Sequence, residues 1–260
     1  LTQRPRLAIA SCGNAALAAA TLAERVSWPL DVYVPTWMDP AFGTRLDELG
    51  VTVHRCERRD DDPPGDPAML RFREACASGA IPFSVQGPEN ALCLDGGRTL
   101  GWELADDIAT RADLAHADRF RVFVQVGGGA FAACVGAGLG PSATLFTVQA
   151  AGCAPLADAW ERLPEIDRPE RYWPHVMRAW PDPHSLADGI LDDETYDWIA
   201  DVRAMVESGG RPIVATESDI VRAYELATTA GFHVSATGSA GLAGVLTVAD
   251  ELHDGDHVAV

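Results

Sequence analysis

The chain of 260 residues is long enough for one large domain or two modest ones, and a hydrophobic content of 47% provides ample core and argues against disorder. Its 38 acidic and 20 basic residues give a net charge of −18, which excludes a nucleic-acid groove lined with clustered positive charge. No apolar run reaches the roughly 18 residues of a membrane helix, and no signal-peptide pattern opens the sequence.

Up to about residue 85, apolar strands alternate with amphipathic helices. Pro35 ends one predicted strand, Gly50 ends one predicted helix, and the charged, proline-rich residues 58–67 predict a loop. In chain order the predicted elements are strand 7–11, helix 14–25, strand 30–35, helix 41–49, strand 51–54, helix 69–78 and strand 81–84.

The same alternation continues to the end of the chain, apart from residues 158–184. That stretch is rich in Pro, Trp and charge and predicts an irregular excursion. The predicted elements are helix 99–112, strand 122–126, helix 131–139, strand 145–149, helix 193–207, strand 213–216, helix 218–230, helix 239–253 and strand 258–260.

Strands that alternate with helices predict an α/β fold with mostly parallel sheets covered on both faces. We expect two three-layer domains, a smaller one over residues 8–85 and a larger one over residues 86–260. The chain opens on Leu1 rather than Met, and its last residues read as a strand that has only begun. We therefore expect a chain truncated at both ends.

The six cysteines are scattered, no two form a C-x-x-C pair, and no histidine stands at zinc-ligand spacing from them. They lie at positions 12, 56, 76, 93, 134 and 153. Small buried thiols of this kind are typical of a reducing compartment. We expect a cytoplasmic protein with no metal site.

Ser11, Cys12, Gly13 and Asn14 follow the first predicted strand and open the first predicted helix. Free backbone N–H groups at such a helix start suit a carboxylate or a phosphate. An ordinary helix cap by Ser or Asn would use the same residues.

Gly127, Gly128, Gly129 and Ala130 follow the most apolar strand and open another helix. Backbone N–H groups of such a loop can surround a phosphate, because no bulky side chain blocks its approach. A flexible glycine turn is the alternative. The segment lacks the nucleotide-triphosphate pattern and matches a dinucleotide fingerprint poorly, which makes a nicotinamide-dependent dehydrogenase the weakest reading.

A third small-residue segment, residues 237–244, also opens a helix. Taken alone, it indicates tight helix packing.

Together, in this order, the three segments resemble the tryptophan-synthase-like family of pyridoxal-phosphate enzymes, known as fold type II, over nearly all of residues 7–260. The motifs that carry the resemblance are S-C-G-N at 11–14, G-R-T-L-G-W-E at 97–103, V-G-G-G-A at 126–130, V-Q-A-A-G-C-A-P at 148–155 and S-L-A-D-G-I at 185–190. The last two are similar to threonine synthases in particular.

The resemblance implies roles for these residues and pyridoxal 5′-phosphate as the cofactor. Asn14 would bond the 3′-oxygen of the pyridoxal ring, and the backbone of Ser11, Cys12 and Gly13 would receive the carboxylate of an amino-acid substrate. The cofactor phosphate would bind the backbone N–H groups of residues 127–130, and Ser239 would lie near the ring. The resemblance also implies a homodimer.

The sequence departs from the family in one chemically decisive respect: all twenty basic residues are Arg, so the chain carries no Schiff-base lysine and no catalytic residue can be assigned. In the family this lysine lies upstream of the S-C-G-N loop. Our first hypothesis is the core of a threonine-synthase-like lyase or transferase that eliminates or replaces a β or γ substituent. The alternatives are a serine or threonine dehydratase, or a non-catalytic relative that binds pyridoxal phosphate or an amino acid.

Overall fold

The computed structural model describes residues 4–110, 119–172 and 175–260 and divides the chain into two compact units, Leu1–Cys93 and Leu94–Val260. The division falls after Cys93, whereas we placed the domain boundary after residue 85. It lies in the first turn of a helix that begins at Ala91, earlier than the sequence pattern indicated.

Unit 1 contains a four-stranded parallel sheet in the order β3-β2-β1-β4. Its elements are β1 (Leu7–Ala10), α1 (Asn14–Arg25), β2 (Leu30–Pro35), α2 (Pro40–Glu48), β3 (Thr52–Cys56), α3 (Pro67–Ala77) and β4 (Ile81–Pro82).

The helices of unit 1 have recognisable local causes. The buried alanines of α1, Ala16, Ala19, Ala20 and Ala23, recur at helical spacing and pack with the apolar residues of β1 and β2. Helices α2 and α3 each begin with an aspartate cap followed by proline, which fixes α3 two residues earlier than we predicted.

Unit 2 contains a second four-stranded parallel sheet, in the order β7-β6-β5-β8. Its elements are α4 (Ala91–Thr110, which begins in unit 1), β5 (Arg119–Gln125), α5 (Ala130–Leu139), β6 (Thr144–Ala150), α6 (Pro155–Arg162), α7 (Trp198–Ser208), β7 (Pro212–Ala215), α8 (Glu217–Thr229), α9 (Ala240–Thr247) and β8 (Asp256–Ala259).

The sheet of unit 2 is covered on both faces, which gives the predicted three layers. Val122 and Val124 of β5 belong to a core cluster shared with α5, α6 and α7. Phe123, which points to the opposite face, belongs to a second cluster shared with α8 and α9. The prediction of an α/β fold with parallel sheets is therefore confirmed.

Several predictions for unit 2 differ from the structure. Within residues 158–184, α6 continues to Arg162 and a short 3-10 turn covers Pro169–Tyr172, while residues 173 and 174 lie outside the described residues. Helix α7 begins at Trp198 rather than 193, and α9 ends at Thr247. Residues 193–197 are not helical because Thr195 and Asp197 bond the carbonyls of Gly127 and Gly128.

The G-R-T-L-G-W-E motif lies inside α4. We had predicted that the helix begins within this motif, at residue 99. A Cβ on Gly101 would overlap the carbonyl oxygen of Val135 and lie 2.8 Å from Gly138 Cα. Gly97 meets Cys134 in the same way. These glycines let α4 and α5 approach closely, so they serve helix packing rather than a helix start. Residues 111 and 112 of the predicted helix lie outside the described residues.

In the described parts of the chain, none of the helices is long and apolar enough to cross a membrane. No group of three or more His, Cys, Asp and Glu side chains in those parts could hold a metal ion. All six cysteines are free thiols.

Candidate functional site

The S-C-G-N segment of unit 1 links β1 to α1 without a side-chain cap. Gly13 occupies the N-cap position, and no side chain caps the helix there, although Ser11 Oγ lies 3.4 Å from the Gly13 nitrogen. The alternative of an ordinary Ser or Asn cap is therefore not adopted. The first N–H groups of α1 remain available to an anion such as a carboxylate.

Asn14, predicted to bond the cofactor ring, is the first residue of α1. Its side chain is exposed and has no hydrogen-bond partner among the residues that the structure describes. The backbone before it is fixed, because the Ser11 N–H donates to the Tyr33 carbonyl of the neighbouring strand at 3.2 Å. An amide on a fixed helix start can donate to or accept from a ligand without first breaking an internal bond.

The glycine segment of unit 2 forms the turn between β5 and α5. Gly129 is the N-cap of α5 and has φ +96°, a conformation that L residues with a side chain rarely adopt. In the described parts of the chain, no acceptor bonds the N–H groups of Gly127, Gly128, Gly129 or Ala130. Adjacent unpaired N–H groups at a helix N-terminus are the arrangement that binds anions in proteins.

Two hydrogen bonds orient these donors. The carbonyl of Gly127 accepts from Thr195 Oγ1 at 3.0 Å, and that of Gly128 accepts from the Asp197 N–H at 2.9 Å. In a trans peptide the C=O and N–H point in opposite directions. The N–H groups of Gly128 and Gly129 therefore both point away from the segment that carries residues 195 and 197.

Side chains have no room in this loop. A Cβ on Gly127 would overlap Asp192 Oδ2, and one on Gly129 would overlap Asp201 Oδ2. A Cβ on Gly128 would lie 3.1 Å from the Tyr196 ring. The close approach of the 190–201 segment thus requires glycine at positions 127 and 129.

Gln149, the glutamine of the V-Q-A-A-G-C-A-P motif, supports the loop from the neighbouring strand. Its side chain is buried, and Nε2 donates to the Val126 carbonyl at 3.4 Å and to Thr195 Oγ1 at 3.2 Å. Its Oε1 accepts from the N–H groups of Leu156 at 2.9 Å and Ala157 at 3.2 Å, at the start of α6. Gln149 thereby connects the glycine loop, Thr195 and the α6 N-terminus.

Ser239 has its hydroxyl committed to the backbone, since it donates to the carbonyls of Ser235 and Ala236 at 3.2 Å. The small-residue segment that contains Ser239, residues 237–244, is connected to the glycine loop through residues 185–190. Gly189 donates its N–H to Thr237 Oγ1 at 2.9 Å, and Ile190 Cα would lie 3.0 Å from a Cβ on Gly127. These contacts bring three of the predicted motifs together within unit 2.

Sequence reasoning missed Thr195, Asp197 and Asp201, which contact the glycine loop from more than 60 residues further along the chain. No local signal distinguishes them, because Asp is frequent throughout this sequence. Gln149 carried a signal, since it lies inside a motif that we had used only for the resemblance.

The loop fits the phosphate of the predicted cofactor. Its four donors lack acceptors among the described residues, and the N–H groups of Gly128 and Gly129 point to the same side of the turn. Cofactor phosphates bind at helix N-termini through such backbone N–H groups.

A family model described as pyridoxal-phosphate dependent enzyme matches residues 2–260. Among solved structures, a threonine deaminase from T.th. is 19% identical with a TM-score of 0.73, and the match covers 98% of this chain and 76% of that chain. Maize serine racemase is 16% identical with a TM-score of 0.67, covering 97% and 71%. A pyridoxal 5′-phosphate-dependent aspartate racemase is 17% identical with a TM-score of 0.70, covering 99% and 73%. No curated protein sequence matches the chain.

Proposed function

We infer that this chain, which belongs to the family of pyridoxal-phosphate-dependent enzymes, serves the elimination or replacement of a β or γ substituent on an amino acid. Its cofactor is pyridoxal 5′-phosphate. The observation that carries the proposal is the loop of residues 127–130: its N–H groups have no internal acceptor in the described residues, and those of Gly128 and Gly129 point to one side.

The residues divide the work as follows. The backbone of residues 127–130 would hold the cofactor phosphate, and a bond from the Asn14 amide to the 3′-oxygen of the ring is the role that the family resemblance implies. The backbone of the turn formed by residues 11–13 would hold the substrate carboxylate next to the uncapped start of α1, although the Ser11 N–H itself bonds the Tyr33 carbonyl. When bound, pyridoxal phosphate withdraws electrons from the α-carbon of the substrate. These residues bind and orient; none of them is a base for the α-proton, and the sequence contains no lysine to serve as one.

The V-Q-A-A-G-C-A-P and S-L-A-D-G-I motifs support a threonine-synthase-like reaction. Both motifs are built into the fold: Gln149 bonds the α6 N-terminus, and Ser185 Oγ donates to Glu217 at 2.8 Å. A serine or threonine dehydratase is the second candidate, since threonine deaminases are among the proteins with this fold. A non-catalytic binding protein is the third, supported by the missing lysine.

Cofactor binding is tested by fluorescence titration of the chain with pyridoxal 5′-phosphate and with pyridoxal. We expect the phosphate to strengthen binding by about 100-fold or more, because charge-assisted hydrogen bonds contribute roughly 1.5–3 kcal/mol each. Gly128→Glu places a carboxylate in the loop and should abolish this advantage. Gly96→Glu is the matched control, since a Cβ there meets nothing within 4 Å. Equal affinity for pyridoxal 5′-phosphate and pyridoxal would contradict the proposal that the loop of residues 127–130 binds the phosphate.

The reaction is tested on the product of the complete gene, whose intact mass also shows whether a lysine-bearing segment precedes Leu1. Phosphate release from O-phosphohomoserine supports the threonine-synthase-like reaction. Ammonia release from threonine or serine supports the dehydratase. Tight cofactor binding without turnover of any of these substrates supports the non-catalytic relative and rejects the enzyme.

A further inference from the structure

Asp201 is a buried carboxyl group at the glycine loop to which the proposed function gives no role. Its side chain is 0% exposed, and neither oxygen has a hydrogen-bond partner within the described parts of the chain. An ionised carboxylate in such a place is costly, and buried polar groups are normally paired. Its position therefore calls for an explanation.

The carboxyl group lies against the loop on the side opposite the donors. Asp201 Oδ2 occupies the place of a Cβ on Gly129, and the Cβ of Asp197 lies 3.1 Å from the same point. Asp197 also donates its N–H to the Gly128 carbonyl. Asp201 thus lies on the side of the loop from which Asp197 bonds the Gly128 carbonyl, opposite the N–H groups that would hold the phosphate.

Among the described residues, the elements packed against α7 bring no cation to Asp201. Neither α5 nor β6 contains an Asp, Glu, Arg or His residue. The 3-10 turn Pro169–Tyr172 carries Glu170 and Arg171, but both are exposed, and Glu170 pairs with the exposed Arg203 at 3.0 Å. Asp197, one turn earlier on the chain, is the charged group that acts on Asp201.

Burial and the neighbouring Asp197 raise the pKa of Asp201 well above the usual range of aspartate. The folded chain therefore keeps a proton on this carboxyl group at pH values where an exposed aspartate is ionised. A neutral acid behind the loop does not oppose an anion in front of it, whereas a carboxylate does.

We propose that Asp201 links binding of the cofactor phosphate to its own protonation: the loop holds phosphate most tightly while Asp201 is neutral, and where Asp201 has ionised, binding weakens and takes up one proton. The proton comes from bulk water and stays on the carboxyl group; no bond of the ligand breaks. The inference rests on the proposed function, because it takes residues 127–130 as the phosphate site. By linkage, bound phosphate must in turn favour the protonated form of Asp201.

The test measures the Kd of pyridoxine 5′-phosphate, which has no aldehyde, by calorimetry from about pH 6.5 to about pH 9.5, above the second ionisation of a phosphate monoester near 6. For the natural chain we expect Kd to rise with pH by up to about tenfold per pH unit once Asp201 begins to ionise. Asp201→Asn, which resembles the neutral acid in shape, should bind with a nearly constant Kd and more tightly than the natural chain at high pH.

Glu207→Gln is the matched control, because Glu207 is an exposed acid on the same helix. It should keep the pH profile of the natural chain. An equally pH-dependent Kd for Asp201→Asn would overturn the inference while leaving the phosphate site intact. Absence of binding at every pH would overturn both the inference and the proposed function.

A second measurement does not depend on a variant. The carboxyl carbon of Asp201 can be followed by NMR in the natural chain with and without pyridoxine 5′-phosphate. We expect its titration midpoint to move to higher pH when the ligand is bound. A midpoint in the ordinary aspartate range, or one that the ligand leaves unchanged, would overturn the inference.

Discussion

Replacing Gln149 by Met tests whether the buried amide holds the phosphate loop and the start of α6 together. Methionine has a similar length and fills similar space but offers no amide, so the change removes four hydrogen bonds and leaves little cavity. The two N–H groups at the start of α6 lose their acceptor, and no side chain caps that helix in its place. Thr195 also loses a donor while it holds the Gly127 carbonyl.

The cost follows from the burial of each partner. The N–H of Leu156, a fully buried residue, is left unsatisfied at about 1–3 kcal/mol, and the bonds to Val126 and Thr195 contribute about 1 kcal/mol each. We expect a total loss of about 3–5 kcal/mol. For a unit of this size that corresponds to a fall in Tm of about 6–20 °C.

The assay is urea denaturation followed by tryptophan fluorescence, with Gln125→Met as the control. Gln125 lies on the adjacent strand, and its amide has no hydrogen-bond partner among the described residues, so the same chemical change there should alter stability by less than about 0.5 kcal/mol. If Gln149→Met costs no more than Gln125→Met, the amide does not support the loop and the reasoning is wrong.

Two further predictions concern other parts of the fold. Gly101→Ala should destabilise unit 2 by about 1–3 kcal/mol, because the added Cβ meets backbone atoms of α5. Gly96→Ala on the same helix should instead stabilise the chain by about 0.4–1 kcal/mol, because a Cβ there meets nothing within 4 Å. Thermal denaturation of the two variants measures both changes. Burial raises the pKa of Cys153 to about 12. Its thiol should therefore stay unreactive toward a disulfide reagent near pH 8 until the chain unfolds. If the number of thiols that react in the folded chain falls in Cys153→Ser, this prediction is wrong.

The strands and most helices could be predicted because their causes are local. Helix α1 begins and ends at the predicted residues, since its alanine stripe and the Gly13 turn lie in one short stretch. The start of α7 could not be predicted. Residues 193–197 have helical composition, but the Asp197 N–H and the Thr195 hydroxyl bond the glycine loop and hold the chain out of the helix.

The candidate site divides in the same way. A run of three glycines after an apolar strand is visible in the sequence, and so is the helix that follows it. The glycine pair of α4 was misread as a helix start because the sequence does not reveal that α5 lies against it. The roles predicted for Asn14 and for residues 11–13 remain predictions, with the fold supplying an uncapped helix start where they require one.

The distant contacts decide whether the glycine run is an anion site at all. A run of glycines alone is flexible, and fixing each residue around a ligand would cost roughly 1–2 kcal/mol of backbone entropy at the moment of binding. Here Thr195 and Asp197 fix the Gly127 and Gly128 carbonyls when unit 2 folds, so folding bears that cost before any ligand arrives. A ligand then meets donors that already point to one side, which favours binding. The affinity of the loop is therefore a property of the 190–201 segment as much as of the glycines, and substitutions at Thr195 should weaken phosphate binding although that residue lies on the carbonyl side of the loop.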